Sequence, residues 1–205
     1  MAVVEQFIRA VSFAVQLQDD FARKGFLAGK TKVFIKETGA TAGENPSRYH
    51  VFTDLSGTSF TVRVENQYYF DQEVSVSIPV LDRRNPVVAV TMKPKYLYPF
   101  PDASTLVRGV VVGPGTTPVE GATVTVVGSS VANKSEQDGR FVLYFGPLTE
   151  DNVVVTGTHR YVKAGAGSTL RIKVEHPLYA PQTVTIGTID EGTTKLLTTP
   201  ITLSP

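Results

Sequence analysis

Apolar and polar residues alternate along much of this chain. TVRVE (61–65), EVSVSI (73–78), VVAVTM (87–92), LVRGVVV (106–112), ATVTVV (122–127), RFVLYF (140–145), LRIKVE (170–175) and QTVTI (182–186) repeat an apolar residue at every second position. A period of two puts one row of side chains inward and the next outward, which is the pattern of a half-buried strand. The runs are short, rich in β-branched Val and Thr, and bounded by Gly, Pro and other turn formers. That combination predicts an all-β protein whose antiparallel sheets pack as sandwiches.

A length of 205 residues suits two such domains, each large enough to bury a core. The most proline-rich stretch is KPKYLYPFPDAST (93–105), where Pro94, Pro99 and Pro101 favour a stiff extended connection. The predicted organisation is an N-terminal sandwich over 1–94, a linker over 95–104 and a second sandwich over 105–205. The aromatic residues of that connection, Tyr96, Tyr98 and Phe100, are expected to pack against a domain or to meet a partner.

The halves echo each other. VRVENQYYFDQEVSV (62–76) aligns without gaps to IKVEHPLYAPQTVTI (172–186) at an offset of 110, so Val64, Glu65, Tyr69, Gln72 and Val74 recur as Val174, Glu175, Tyr179, Gln182 and Val184. Upstream, YHVFTDL (49–55) lies over GRFVLYF (139–145) at offset 90, and GKTKVFI (29–35) over GATVTVV (121–127) at offset 92. The pattern is a tandem repeat of one module. The change of offset from 90 to 110 predicts about twenty extra residues near 146–167 in the second copy, read as an inserted hairpin turning at Thr156-Gly157-Thr158. Loops of this kind carry function more often than core strands do, which makes His159, Arg160 and Tyr161 candidate interaction residues.

Composition narrows the chemistry. Twenty basic residues against 19 acidic ones give a net charge of +1, so nucleic acid is not an expected partner. There is no cysteine, which excludes disulfides, thiol nucleophiles and cysteine-bound zinc. Glu5, Gln6 and Arg9 interrupt the apolar N-terminal stretch, so no clean signal core forms, and no run is long enough to span a membrane. The expected location is cytoplasmic or particle-associated. His50, His159 and His176 lack metal-ligand spacing, and no nucleophile elbow or phosphate loop is present. No cofactor, metal site or catalytic residue is expected.

The segments LVRGVVV, PVEGATVTV and SEQDGRFVL resemble the strand motifs of the carboxypeptidase regulatory-like domain, a transthyretin-like β-sandwich. The resemblance covers roughly 105–203 and is weaker in the first half, where RYHVFTDL lacks the Asp-Gly turn. It implies an accessory module of transthyretin-like or Ig-like fold rather than a peptidase, because the catalytic zinc of those enzymes lies in a separate domain.

The functional expectation is a non-catalytic structural or interaction protein. Its partners would be other protein subunits, further copies of itself included. By analogy of fold, a cap, adaptor or baseplate accessory of a contractile phage-tail-like injection particle is the leading assignment. The alternative is a glycan- or cell-surface-binding module of adhesin type, using Tyr96, Tyr98 and Phe100.

Overall fold

The computed structural model describes residues 10–25, 27–82, 84–165 and 167–205. Glu5, Gln6 and Arg9, on which the reading against a signal core rests, lie outside them. The chain divides into two compact units, Met1–Lys93 and Pro94–Pro205.

In the first unit the strands are β1 (Val11–Asp19), β2 (Thr31–Ile35), β3 (Gly43–Glu44), β4 (Tyr49–Thr53), β5 (Ser59–Asn66), β6 (Tyr69–Ser77) and β7 (Val87–Met92). They form two sheets, ordered β3-β4-β1-β7 and β2-β5-β6. The alternation predicted from sequence sets the core: Val33, Ile35, Val62 and Val64 are buried, while Lys32, Arg63 and Glu65 face outward. The Phe13 ring meets Phe52 of the neighbouring strand at 4.9 Å and Phe60 of the facing sheet at 6.2 Å. Burial of each such side chain stabilises the unit by about 1.5–3 kcal/mol.

The second unit contains β8 (Leu106–Val112), β9 (Thr123–Val126), β10 (Ala132–Lys134), β11 (Arg140–Tyr144), β12 (Val153–Thr156), β13 (His159–Val162), β14 (Leu170–His176), β15 (Tyr179–Gly187), β16 (Thr194–Leu196) and β17 (Ile201–Thr202). Its sheets are β10-β9-β14-β15 and β11-β8-β16, with β17 also on β8. Val107, Val111, Phe141, Leu143, Val124, Ile172 and Val174 meet between them. The Asp-Gly turn before β11 is structural. Gly139 has φ +76°, and a Cβ there would stand 2.3 Å from the Val111 carbonyl oxygen.

The tandem repeat is written in the pairing register. Val62↔Val74, Val64↔Gln72 and Asn66↔Tyr69 become Ile172↔Val184, Val174↔Gln182 and His176↔Tyr179, each pair shifted by 110. Both hairpins carry an irregularity at the same point, between Val64/Asn66 and between Val174/His176. The other two offsets need correction. Val33 faces Val64, and Val124 faces Val174, so β2 lies over β9 at 91 rather than 92. At offset 90, core-facing Phe52 would match Val142, which alternates away from core residues Phe141 and Leu143. A slip of one residue exchanges the two faces of a strand, so for these two strand pairs, β2 with β9 and β4 with β11, only an odd offset keeps the core faces matched.

Two features go beyond the antiparallel scheme. In each unit the last strand runs parallel beside the first: β7 on β1, and β16 and β17 on β8. β7 keeps one register from Ala14↔Val87 to Asp19↔Met92. Its counterpart is broken. Between Arg108↔Leu196 and Val111↔Ile201, β8 advances three residues while the partner advances five. Two residues are thus in excess, and the strand bulges before Pro200, which has no N–H for the ladder.

The insertion is a hairpin. Five residues (54–58) join β4 to β5, whereas 25 (145–169) join β11 to β14, a difference of 20. Thr156 pairs with His159 across a two-residue turn in which Gly157 has φ +62°.

Candidate interaction site

The two sets of residues singled out from sequence sit on different elements of the second unit. Residues 94–100 lie over the outer face of β8 and β11. Asn133, 2% exposed, donates from Nδ2 to the carbonyls of Pro94 and Val142, both at 2.9 Å. The Tyr96 N–H donates to Glu136 Oε1. Tyr98 is 8% exposed and meets Phe100 edge-on at 4.6 Å, and Phe100 packs 5.9 Å from Tyr144. The Arg108 guanidinium lies 4.8 Å from the Tyr96 ring and 5.7 Å from Phe100, with Arg140 5.5 Å from Tyr96. Tyr96 and Phe100 remain partly exposed, and the Tyr98 ring is turned into the cover.

On the inserted hairpin, alternation separates the three candidates. His159 and Tyr161 share a face and stack at 5.6 Å with 9° between their planes. Arg160 points the other way. Its Nε donates to Glu191 at 2.6 Å and its Nη1 to Glu150 at 3.1 Å. The hydrogen bonds to Glu191 and Glu150 raise its pKa above the ordinary arginine value. His159 Nδ1 is 3.0 Å from Asp190 Oδ1. Main-chain bonds from Val162 to Ile189 and from Glu191 to Arg160 join β13 to the segment 189–191. The hairpin is anchored by these bonds, with Val155 exposed near its tip.

A third surface was missed by sequence reasoning. β15 is the edge of its sheet, and β16 and β17 flank it from the other sheet. The bulge before Pro200 leaves a groove of about 530 Å³ between them, lined by Val184, Ile186, Leu196, Leu197, Pro200 and Ile201 among others. Leu196 is 60% exposed. One main-chain bond, from Ala180 N–H to the Ser204 carbonyl, closes the end of this seam. In the first unit the matching edge carries charge: Arg63 bridges Asp71 and Glu73 of β6, and Lys36 holds Glu73 at 2.8 Å. In β15, Pro181 and Thr183 stand where β6 has Asp71 and Glu73, following the 110-residue offset. The only sequence signal was the apolar tail TKLLTTPITL (194–203) with its proline.

The first unit has a cavity of about 330 Å³ at the seam between its sheets, lined by Leu17, Leu27, Lys30, Glu44, Arg48 and His50 among others. His50 faces inward beside Val15, and burial pushes its pKa below the ordinary histidine value, partly offset by Glu44. Among the described residues, no group of three or more His, Cys, Asp or Glu could hold a metal ion. No helix among them is long and apolar enough to cross a membrane.

No family model matches the chain. No curated protein matches it either. Among solved structures it is similar to the Bacillus anthracis TIE protein, at 11% identity and TM-score 0.33, over 95% of this chain and 34% of that one. It is similar to a streptococcal ancillary pilin, at 16% identity and TM-score 0.26, over 94% of this chain and 62% of the pilin. It is also similar to the shaft pilin SpaA of Lactobacillus rhamnosus GG, at 10% identity and TM-score 0.31, over 97% and 98% of the two chains.

Proposed function

We propose that this protein is a non-catalytic subunit of a larger protein assembly, and that it docks an extended segment of a partner subunit along the outer edge of β15. The observation that carries this reading is the groove between β15 and the bulged last strand. Its lining mixes apolar side chains with threonines, Gln182 and a single charged residue, Lys195; its rim is a strand edge, and its charge is low compared with the matching edge of the first unit. An incoming strand would gain main-chain hydrogen bonds from the edge and specificity from alternate side chains in the groove. Native edges without charge, proline or cover are exposed to such pairing, and in β15 this describes the stretch beyond Pro181, 182–187.

The test is affinity purification from the source cell followed by cross-linking mass spectrometry, comparing the wild type with Leu196→Asp and Thr185→Lys. A specific protein partner should cross-link at 182–202 and be lost from both variants, while thermal midpoints stay near wild type. A clean monomer with no partner, or cross-links confined to other surfaces, would sink the reading. The narrower assignment, an accessory of a contractile phage-tail-like particle, rests on analogy of fold. It predicts sheath, tube or baseplate proteins among the captured subunits. The adhesin-type alternative is favoured by a separate observation, the polar cavity of the first unit.

A further inference from the structure

Next to the cavity of the first unit lies a buried polar network that fixes one of its lining segments. Tyr69 Oη donates to Asp19 Oδ2 at 2.7 Å and accepts the Ala28 N–H at 3.1 Å. Asp19 Oδ1 accepts the N–H groups of Phe21 and Ala22 at 2.8 and 3.0 Å. Asn66 Nδ2 donates to the Ala28 carbonyl at 3.0 Å and to Thr31 Oγ1 at 2.8 Å. Asp19, Asn66 and Tyr69 are all buried. Together they fix the course of the chain on either side of Gly29, which has φ +74° and lies so close to Tyr68 that a Cβ would stand 2.9 Å from its ring. This segment forms one wall of the cavity and presents Lys30.

The opposite wall is built by a tight turn. Asn45 Oδ1 accepts the Tyr49 N–H, and the Arg48 N–H donates to the Asn45 carbonyl, both at 2.9 Å. Arg48 is held at φ +65°, a left-handed conformation that is uncommon for a residue other than Gly, Asn or Asp. Backbone outliers of this kind cluster at ligand sites. Arg48 Nη1 donates to Glu44 Oε1 at 3.1 Å, so the rim carries a guanidinium–carboxylate pair. His50 faces the interior from β4, and Leu17 and Leu27 supply apolar surface.

The second unit lacks these parts. Asn66 is replaced by His176 at the same register position, and the equivalent tyrosine, Tyr179, packs against Gly113. There a Cβ on Gly113 would stand 2.9 Å from the Tyr179 hydroxyl, leaving no room for a carboxylate. The core pattern is shared by both units, whereas this polar network belongs to the first.

We propose that this cavity binds one acidic monosaccharide residue, free or at the end of a glycan. Lys30 and His50 receive the carboxylate, the Glu44–Arg48 pair meets ring hydroxyls, and Leu17 and Leu27 carry the apolar face of the ring. The volume suits one sugar ring. Among the described lining residues there are two permanent cations and one carboxylate, which matches a monoanion better than a neutral sugar. The site is separate from the β15 groove, and either assignment can fail alone.

The experiment titrates the ¹⁵N-labelled full chain with N-acetylneuraminic acid and glucuronic acid, with their methyl esters, glucose and inorganic phosphate as controls. Saturable shifts at 25, 27–31 and 44–50 are expected with one or both acids and not with the esters or glucose. Lys30→Gln and Arg48→Asn should each weaken binding about tenfold, the effect of one charge-assisted hydrogen bond. Asn tolerates the left-handed backbone, so Arg48→Asn keeps the turn. Phosphate shifting the same residues as strongly as the acids would reduce the site to general anion binding and overturn the sugar assignment. No saturable shift with either acid, or unchanged affinity in both variants, would overturn the site itself.

Discussion

At the scale of single residues, the first unit is distinguished by where it places polar atoms. Asp19 and Tyr69 are 50 positions apart in sequence and form a buried hydrogen bond. His50 shows the same dependence on context. It occupies an inward position that a hydrophobic residue would fill in a plain sandwich, and burial lowers its pKa. A histidine whose folded pKa lies below its unfolded value, near 6.5, stabilises the fold while neutral. The unfolded chain takes up the proton first as pH falls, so stability is complete above that value and declines as pH drops through the folded pKa. Thermal denaturation from about pH 7.5 to about pH 5.5 should show a falling midpoint in the wild type and a flatter profile in His50→Gln. Glu37 and Glu73 contribute in a lower window. Hydrogen bonds from Thr61 and from Lys36 respectively depress these carboxyls below 4.5, and their contribution is lost only as pH falls below that value.

At the scale of elements, the inserted hairpin is a small sheet joined to the second unit by both kinds of contact. Val153 and Val162 are buried, and Arg160 bridges Glu150 and Glu191 from the exposed side. Exposed ion pairs contribute little, so Arg160→Ala is expected to leave the global thermal midpoint close to the wild type. Its effect should be local: faster amide exchange in β12 and β13, with β14 and β15 unchanged, read by hydrogen–deuterium exchange. Equal acceleration throughout the unit would mean that the hairpin is part of the cooperative core. The bulged last strand is the other element that sets this unit apart. Its counterpart β7 runs unbroken along β1.

At the scale of the whole molecule, two copies of one sandwich have diverged into different surfaces. We propose that each is an independent folding domain, and the division at Lys93 and Pro94 supplies a direct test. Residues 94–100 lie over Val142 and Tyr144 of the second unit. A fragment of 94–205 should therefore fold, whereas one beginning at 105 should lose several kcal/mol through exposure of that face. Chemical denaturation of both fragments measures the difference. Equal stability would show that 94–104 contributes nothing to the domain.

The all-β class, the sandwich strands, the repeat and the size of the insertion were legible in the chain itself. Strand period and turn residues are local, and a period of two survives in Val62 and Val64 as in Ile172 and Val174. Register is not local. The one-residue errors at β2 and β4 arose because sequence similarity is blind to which face a residue occupies. The aromatic run 96–100 was visible, but its role as a cover depends on Asn133, Arg108 and Tyr144, which come from other strands. The groove required an excess of two residues on one strand, which is seen only when β16 and β17 are laid along β8. The cavity wall that carries Lys30 required Asp19, Asn66 and Tyr69, distant in sequence, to converge on the segment around Ala28. Sequence alone determined what kind of layers this protein builds, because each strand announces its own two faces. Only the tertiary structure decided where those layers leave an edge uncovered or a polar pocket open, because both depend on pairings between residues far apart along the chain.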